Sequence, residues 1–304
     1  MCARARGAGV IKEGDMLSSF LLCIVVPRRQ LLHVVGASCT GLLVVPHRKC
    51  LALTVDPSLT DEDGLFVVDP RKALAGLTDP DSEPVGAYST ISAALSVAPR
   101  DATVIVRPGM YTEQVIITRP VKLLADAGAV LTWKTDRPYE HALTVSLVEG
   151  GEHDHVLISG LSINHHSRSV AQNYAVFVPV PSSAEADRVR ILLKQCDITS
   201  SSGSGVGVEG GDVSLEQCRV TACQNHGIIY VGSSARGVVE KSSVEKCKLN
   251  GILLRDGASP LLRSNRLAGN AQYGIALFDC RGVLEGNDLS GNGKGGVSGE
   301  CDLD

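Results

Sequence analysis

The sequence is poor in aromatic residues, with four Phe, six Tyr and one Trp among 304 residues. It also lacks an excess of positive charge, because 29 Lys and Arg residues stand against 33 Asp and Glu residues and the net charge is -4. A chain with this balance has no basic footprint, so we do not expect it to bind nucleic acid. The shortage of aromatics, together with 32 glycines, favours thin aliphatic layers joined by tight corners.

The apolar run at residues 16–26 is too short to span a membrane. A bilayer-spanning helix needs about 20 apolar residues. The run is also a poor secretory signal, because charges of both signs precede it and Pro27-Arg28-Arg29 stands where a small-residue cleavage site belongs. We therefore expect no membrane span, and a cytoplasmic or nuclear location in preference to secretion.

The ten cysteines do not have the spacing of a zinc site. The closest two, Cys218 and Cys223, are too far apart for a C-x-x-C pair, and the density is too low for a disulfide scaffold. The segments His153-Asp154-His155 and His165-His166 offer at most two imidazoles on one strand face, and zinc needs further ligands. The sequence therefore predicts no metal and no cofactor.

The first 77 residues differ from the rest and are assigned to a preface that is either β-rich or disordered. They contain a near-duplication, Val25–Arg29 and Val44–Arg48, but two copies are too few for a solenoid. Residues 78–87 are rich in Pro, Asp and Gly, which predicts a linker. The apolar spacing of residues 91–98 then predicts a short capping helix with Ser89 as its N-cap.

After Asn173 the sequence repeats every 22–24 residues, except for one longer interval that contains a polar loop at residues 181–187. Each copy holds three short segments with a two-residue apolar period, which one amphipathic helix cannot produce. We therefore predict an all-β fold, a right-handed parallel β-helix solenoid over residues 88–304 with a short N-terminal capping helix. The glycines that open successive copies are Gly205, Gly227, Gly251, Gly274 and Gly296.

Two positions of the repeat carry small polar residues in copy after copy. Because successive coils stack about 4.8 Å apart, such residues should form ladders that hydrogen-bond between coils at the turns. The cysteines among them are then buried thiols, and disulfide pairing between stacked neighbours is the alternative. One predicted ladder is Cys196, Cys218, Ser242, Asn265 and Asn287, and the other is Ser201, Cys223, Cys247, Asn270 and Asn292.

The first strand of each copy predicts an apolar stripe on the outside of the solenoid. If residues such as Val176 and Ile252 face inward, the residues that follow them face outward in register. Exposed apolar stripes often mark contact surfaces, although the preface or the loop at 181–187 could instead cover this one. The candidate partner-binding residues are Phe177, Ile229, Leu253 and Ala276.

A charged stripe is the best candidate for catalysis. Its carboxylates could lie about 5 Å apart, which is the separation that retaining glycosidases use. However, Arg263 falls between Glu240 and Glu285, so a solvated ladder of ion pairs is the simpler interpretation. We therefore predict no catalytic residue. The stripe consists of Lys194, Glu216, Glu240, Arg263 and Glu285.

The segments Gly251–Asn265 and Tyr273–Asn287 resemble the β-helix repeats of F-box only proteins, and of right-handed β-helix proteins of the carbohydrate-binding and sugar-hydrolase type. Tyr88–Glu113 is similar to the start of pectin-lyase-like folds, pectin methylesterases among them. In the F-box relatives such repeats are the recognition region of a ubiquitin ligase and bind a target protein. The F-box itself is not recognisable here: its Leu-Pro opening is absent, and Trp133 is the single Trp.

Pattern and resemblance together predict a non-catalytic scaffold that binds a protein or a glycan along its flank. The alternative is a polysaccharide-active enzyme of the lyase, esterase or hydrolase type. Residues that match a pectin methylesterase active site are not found between Leu124 and Cys196, which favours binding. No cap is recognisable after the last coil, so either the chain is a fragment or two copies associate end to end.

Overall fold

The computed structural model describes residues 65–71, 87–148, 150–151, 153–169 and 173–301. The predictions for the near-duplicated segments, for the apolar run at 16–26 and for most of the linker lie outside the described residues. Within the described ranges, no helix has both the length and the apolar character that a membrane crossing requires.

The described chain winds through short strands that pair in parallel to form three sheets. From β3 to β24, strands that are three apart in sequence lie side by side, because each coil gives one strand to each sheet. In spatial order, the ten-stranded sheet contains β2 (Ala87–Tyr88), β1 (Leu65–Val68), β3 (Thr103–Val106), β6 (Lys122–Ala125), β9 (His155–Ser159), β12 (Arg190–Lys194), β15 (Gly211–Glu216), β18 (Ala235–Glu240), β21 (Ser259–Arg263) and β24 (Val283–Glu285).

The other two sheets complete each coil. The seven-stranded sheet contains β4 (Gly109–Thr112), β7 (Ala129–Thr135), β10 (Ser162–Ser167), β13 (Asp197–Ser200), β16 (Arg219–Thr221), β19 (Ser243–Glu245) and β22 (Arg266–Ala268). The eight-stranded sheet contains β5 (Val115–Ile117), β8 (Leu143–Val145), β11 (Tyr174–Val178), β14 (Ser204–Val208), β17 (Ile228–Val231), β20 (Ile252–Arg255), β23 (Tyr273–Phe278) and β25 (Gly295–Ser298).

The register confirms the predicted parallel β-helix. Ile252 pairs with Ile275, so equivalent residues of the repeat lie directly over one another. Alternate residues of each strand point inward, as in β12, where Ile191 and Leu193 are buried. The core is therefore a stack of aliphatic layers enclosed by the three sheets. β1 lies within the predicted preface and pairs with both β2 and β3, so the ten-stranded sheet extends to Leu65.

A short helix, α1 (Ile91–Val97), packs against β1 and β5. Its N-cap is Thr90, whose Oγ1 accepts a hydrogen bond from Ala93 N at 3.2 Å, so the prediction of Ser89 was wrong by one residue. The carboxylate of Glu113 accepts two further hydrogen bonds, from Ile91 N at 2.8 Å and from Ser92 N at 2.9 Å. The N–H groups that open the helix are thereby satisfied by a residue that is distant in sequence.

The polar loop predicted at residues 181–187 contains one helical turn, α2 (Ala184–Asp187). Ser183 caps this turn through a hydrogen bond from Ala186 N to its Oγ at 3.1 Å. Arg236 of β18 fixes the loop to the ten-stranded sheet, because it donates to the Asp187 side chain at 3.1 Å and to the Asp187 carbonyl at 2.7 Å. The loop therefore lies against the ten-stranded sheet.

Side-chain ladders connect the coils at the turn between the ten- and seven-stranded sheets. Asn265 Oδ1 accepts from Ser242 N, and Asn287 Oδ1 accepts from Asn265 N, both at 3.0 Å. Asn265 Nδ2 donates to Val239 O at 2.7 Å, and Ser242 Oγ accepts from Cys218 N at 3.1 Å. Each of these side chains therefore satisfies the backbone of a neighbouring coil.

The second ladder lies between the seven- and eight-stranded sheets. Asn270 Oδ1 accepts from Cys247 N, and Asn292 Oδ1 accepts from Asn270 N, both at 3.0 Å. The position expected for Ser201 is taken instead by Ser200, which is fully buried while Ser201 is exposed. β13 runs one residue further than β16 before its turn, so Ser200 keeps the inward alternation.

The four ladder cysteines are buried, free thiols. A hydrogen bond with Cys196 and burial raise the pKa of the Cys218 thiol, and Cys247 has the same effect on the pKa of Cys223. A disulfide joins Cys280 to Cys301, 21 residues further along the chain. Sequence reasoning missed this bond, although the separation is close to the length of one coil.

Candidate partner-binding site

The predicted partner-binding residues form one column on the outside of the eight-stranded sheet. Phe177 pairs with Gly207, and from there the pairing continues through Ile229 and Leu253 to Ala276. The column, hereafter the outer column, also extends in the other direction from Phe177, through Thr144 to Ile116. The residues on either side of Phe177 in β11 are buried in the core, so the column faces away from it.

The outer column is less exposed than the sequence predicts. Ile229 is 7% exposed and Ala276 is 1% exposed, so the expectation of an exposed apolar stripe is wrong at both positions. Ala276 has a short side chain flanked by Leu253 and Ser298, and Ile229 lies between Leu253 and the covered Gly207. Phe177 and Leu253 are half-buried, and Ile116 is exposed.

An aromatic cluster of His141, Tyr174 and Phe177 lies within this surface, between Ile116 and Leu253. The rings of Tyr174 and Phe177 are stacked with their centroids 5.3 Å apart, and His141 lies 4.4 Å from Phe177. The Tyr174 ring covers Gly207, where an added Cβ would lie 2.5 Å from Tyr174 Cε1. Position 207 must therefore be glycine for the ring to lie across the sheet.

Burial sets the protonation states in the cluster. Burial, with a smaller contribution from the charge of Glu209, raises the pKa of Tyr174 to about 12. Burial, helped by His165, lowers the pKa of His141 to about 4. His141 is therefore a neutral imidazole at pH 7, and its Nδ1 accepts a hydrogen bond from Tyr174 N at 3.1 Å.

The bond to Tyr174 belongs to a third ladder, which sequence reasoning missed. Ser204 Oγ accepts from His226 N at 3.3 Å, and His226 Nδ1 accepts from Asn250 N at 3.4 Å. Asn250 Oδ1 then accepts from Tyr273 N at 3.0 Å. From Ser204 to Tyr273, these residues immediately precede the glycines that open the copies. Their position directly before these glycines is the sequence signal from which the third ladder could have been predicted.

The charged stripe lies on the outside of the ten-stranded sheet as a ladder of ion pairs. Lys194 Nζ is 3.1 Å from Glu216 Oε1, and Arg263 forms an ion pair with Glu240. The hydrogen bond from Arg263 lowers the pKa of the Glu240 carboxyl. A carboxyl group that acts as a general acid needs the opposite shift, so Glu240 is not suited to donate a proton.

The histidine segments are dispersed. His153 and His155 are exposed, whereas His165 is buried, with Nδ1 3.1 Å from Ser200 Oγ and Nε2 3.0 Å from Glu140 O. Across the described ranges, no group of three or more His, Cys, Asp or Glu side chains is arranged to hold a metal ion. His165 is therefore part of the internal hydrogen bonding of the turn.

Comparison with known proteins gives matches of fold. The family model described as "Right handed beta helix region" matches residues 147–302. Pectate lyase Pel9A is similar at 12% identity and a TM-score of 0.47, over 79% of this chain and 78% of that chain. Pectin methylesterase PemA from Erwinia chrysanthemi is similar at 14% identity and a TM-score of 0.37, over 69% and 70% of the two chains. A pectin methylesterase from Aspergillus niger is similar at 14% identity and a TM-score of 0.39, over 79% and 91%.

Proposed function

This chain belongs to the right-handed β-helix family, and we propose that it is a non-catalytic scaffold that binds a protein or glycan partner on its eight-stranded sheet. The observation that carries the proposal is the outer column, in which Leu253 and Phe177 of the aromatic cluster remain half-exposed. Aromatic side chains bury a large apolar area on contact, and those near the centre of an interface often dominate the binding energy.

The geometry of the outer column favours tight recognition without rearrangement. Five strand spacings separate Ile116 from Leu253, which corresponds to about 24 Å along the solenoid. Phe177 lies between them, and a hydrogen bond from Tyr174 N to His141 Nδ1 joins its two neighbours. A surface that is already ordered loses little conformational entropy when it binds a partner.

The state of the charged stripe supports binding in preference to catalysis. Glu240 is anionic and paired with Arg263, and Glu216 is paired with Lys194. The polysaccharide-cleaving alternative needs one carboxyl that holds a proton near neutral pH. The ion pairs of the stripe work against such a group.

Matched substitutions test the proposal. Leu253→Asp and Phe177→Asp should each weaken partner binding at least about tenfold, because a charge placed in an apolar contact must be desolvated. Leu261→Asp is the matched control, since Leu261 is also half-buried but lies in β21 of the ten-stranded sheet. Circular dichroism and thermal unfolding would show that each variant is folded. Equal losses in all three variants would contradict the proposed site.

The partner class is tested by offering purified full-length chain to a glycan array and, separately, to adaptor subunits of a ubiquitin ligase. The resemblance to F-box β-helix repeats predicts a protein partner, and the wider β-helix resemblance predicts a glycan. Turnover of any polysaccharide in a panel of acidic polymers, lost in Glu240→Gln or Glu285→Gln, would overturn the non-catalytic proposal.

A further inference from the structure

A basic groove of about 370 Å³ lies where β7 and β10 end, at the corner between the seven- and eight-stranded sheets. The chain leaves this corner through Glu140 and enters the aromatic cluster at His141. The groove is therefore next to the proposed partner-binding site. Its lining residues are Lys134, Thr135, Asp136, His166 and Arg168.

The register of the sheet brings the donors of the groove together. Lys134 of β7 pairs directly with His166 of β10. His166 Nδ1 is 2.6 Å from Ser201 Oγ in the next coil, and this contact holds the ring beside the groove. Lys134 has no ion-pair partner among the described residues.

The charges in the groove favour an anion. Lys134 and Arg168 are exposed cations, and Asp136 partly neutralises Arg168 at 3.7 Å. The other nearby carboxylate, Glu140, is engaged by the Thr135 hydroxyl and lies 3.6 Å from Arg137. An ammonium, a guanidinium and an imidazole line this one groove, and groups of this kind suit the oxygens of a tetrahedral oxyanion.

The strand positions that lead into the groove carry hydroxyl and amide groups. Thr132, Asn164 and Thr199 are in register, and Thr199 Oγ1 donates to Asn164 Oδ1 at 2.9 Å. Thr132 and Asn164 lie two residues before Lys134 and His166 of the groove, and Thr199 lies two residues before Ser201, which contacts His166. The three side chains therefore face the same side of the sheet as the groove. Neutral hydrogen-bonding groups of this kind match the hydroxyl groups of a sugar.

We propose that this groove binds a sulfate or phosphate ester group carried by a glycan. The inference rests on the proposed binding function and names the chemistry of its ligand. The ester oxygens contact Lys134, His166 and Arg168, and the sugar ring lies along the column of Thr132, Asn164 and Thr199.

The test measures binding of the full chain at low ionic strength to four probes: inorganic sulfate, inorganic phosphate, a sulfated oligosaccharide and its desulfated form. We expect the sulfated saccharide to bind at least about tenfold more tightly than the desulfated one, since each charged hydrogen bond is lost with the sulfate. The inorganic ions should bind with millimolar affinity and compete with the sulfated saccharide.

Charge-matched variants separate the groove from general electrostatics. Lys134→Gln combined with Arg168→Gln should weaken binding of the sulfated saccharide at least about tenfold. Arg190→Gln combined with Arg263→Gln removes the same charge from exposed sites on the ten-stranded sheet and should change the affinity less than about twofold. Asp136→Asn should strengthen binding, because it releases Arg168.

Three outcomes would overturn the inference: equal losses in the two double variants, no preference for the sulfated saccharide, or tighter Lys134-dependent binding of a phosphopeptide than of any saccharide. The experiments test the groove and the outer column separately, so one proposal can be rejected while the other stands. If Phe177→Asp abolishes partner binding while the Lys134 and Arg168 variant binds the sulfated saccharide normally, the groove is wrong and the proposed function stands. If instead the Lys134 and Arg168 variant loses the sulfated saccharide while Phe177→Asp binds its partner normally, the groove stands and the outer column is wrong.

Discussion

Replacing Asn270 with alanine tests whether the ladders hold the coils together. The Asn270 side chain is 1% exposed and makes three hydrogen bonds to neighbouring coils. Its Oδ1 accepts from Cys247 N at 3.0 Å, and its Nδ2 donates to Val244 O and to Asn292 Oδ1, both at 3.0 Å. Alanine removes all three bonds and leaves the buried Cys247 N–H without a partner.

The expected cost follows from that backbone group. A buried donor that loses its partner costs about 1 to 3 kcal/mol, so Asn270→Ala should lower the free energy of unfolding by about 1 to 3 kcal/mol. That is a large part of the total stability of a typical domain, which is about 5 to 15 kcal/mol. The loss falls on the interface between two coils, where the stability of a solenoid resides.

Urea unfolding followed by far-ultraviolet circular dichroism measures this cost. Asn292→Ala is the matched control, because Asn292 occupies the same ladder one coil further on but is only half-buried. Water can replace part of what that control loses, so its cost should be smaller. A loss below about 1 kcal/mol for Asn270→Ala, or one no larger than that of Asn292→Ala, would refute the role of the ladder.

Three further predictions concern other parts of the solenoid. Since the pKa of His141 is about 4 in the folded chain and 6.5 for an unburied histidine, the unfolded state binds the proton first, so His141 alone should contribute a fall in stability of about 2 kcal/mol between pH 7 and pH 5. His141→Gln should reduce that slope in urea titrations, and an unchanged slope would contradict it. Cys301→Ser should lower stability by about 3 kcal/mol and raise hydrogen exchange in β25 above that in β11. Deleting residues 228–251 removes one complete copy and should leave a folded, shorter solenoid by circular dichroism, whereas deleting residues 228–250 shifts the register by one residue and should not.

The repeat could be predicted because stacking makes equivalent positions chemically alike. Ile252 and Ile275 occupy the same layer position, and Asn265 and Asn287 share a ladder, so their spacing reveals the length of the coil. The inward residues must fill neighbouring layers of similar width. Similar residue types therefore recur at the period of the coil.

The third ladder escaped prediction because it does not need similar residues. His141, Ser204, His226 and Asn250 each supply one acceptor to the N–H of the next coil, and an imidazole nitrogen, a hydroxyl and an amide oxygen serve equally well. Because different residue types can act as the acceptor, a search for recurring residue types does not reveal this ladder. The glycine that follows Ser204, His226 and Asn250 is the constant feature.

The sequence correctly predicted that the residues of the outer column lie in register, but it did not predict how exposed each of them is. Strand alternation determines that Phe177, Ile229 and Leu253 point outward. It does not determine what lies over them, and the ring of Tyr174, which covers Gly207, comes from a neighbouring coil. The cover depends on side-chain length and direction across coils, which a one-dimensional period does not contain.

The side chain of His141 links the proposed binding site to the packing of the coils. Val176 and Val178 face the core and fix the position of β11, so Phe177 between them is placed outward by the same pairing that stabilises the coil. His141 accepts the Tyr174 N–H and also packs against Phe177. Because protonation of His141 would remove that acceptor and place a charge beside Phe177, the coil interface and the binding surface depend on the same neutral imidazole.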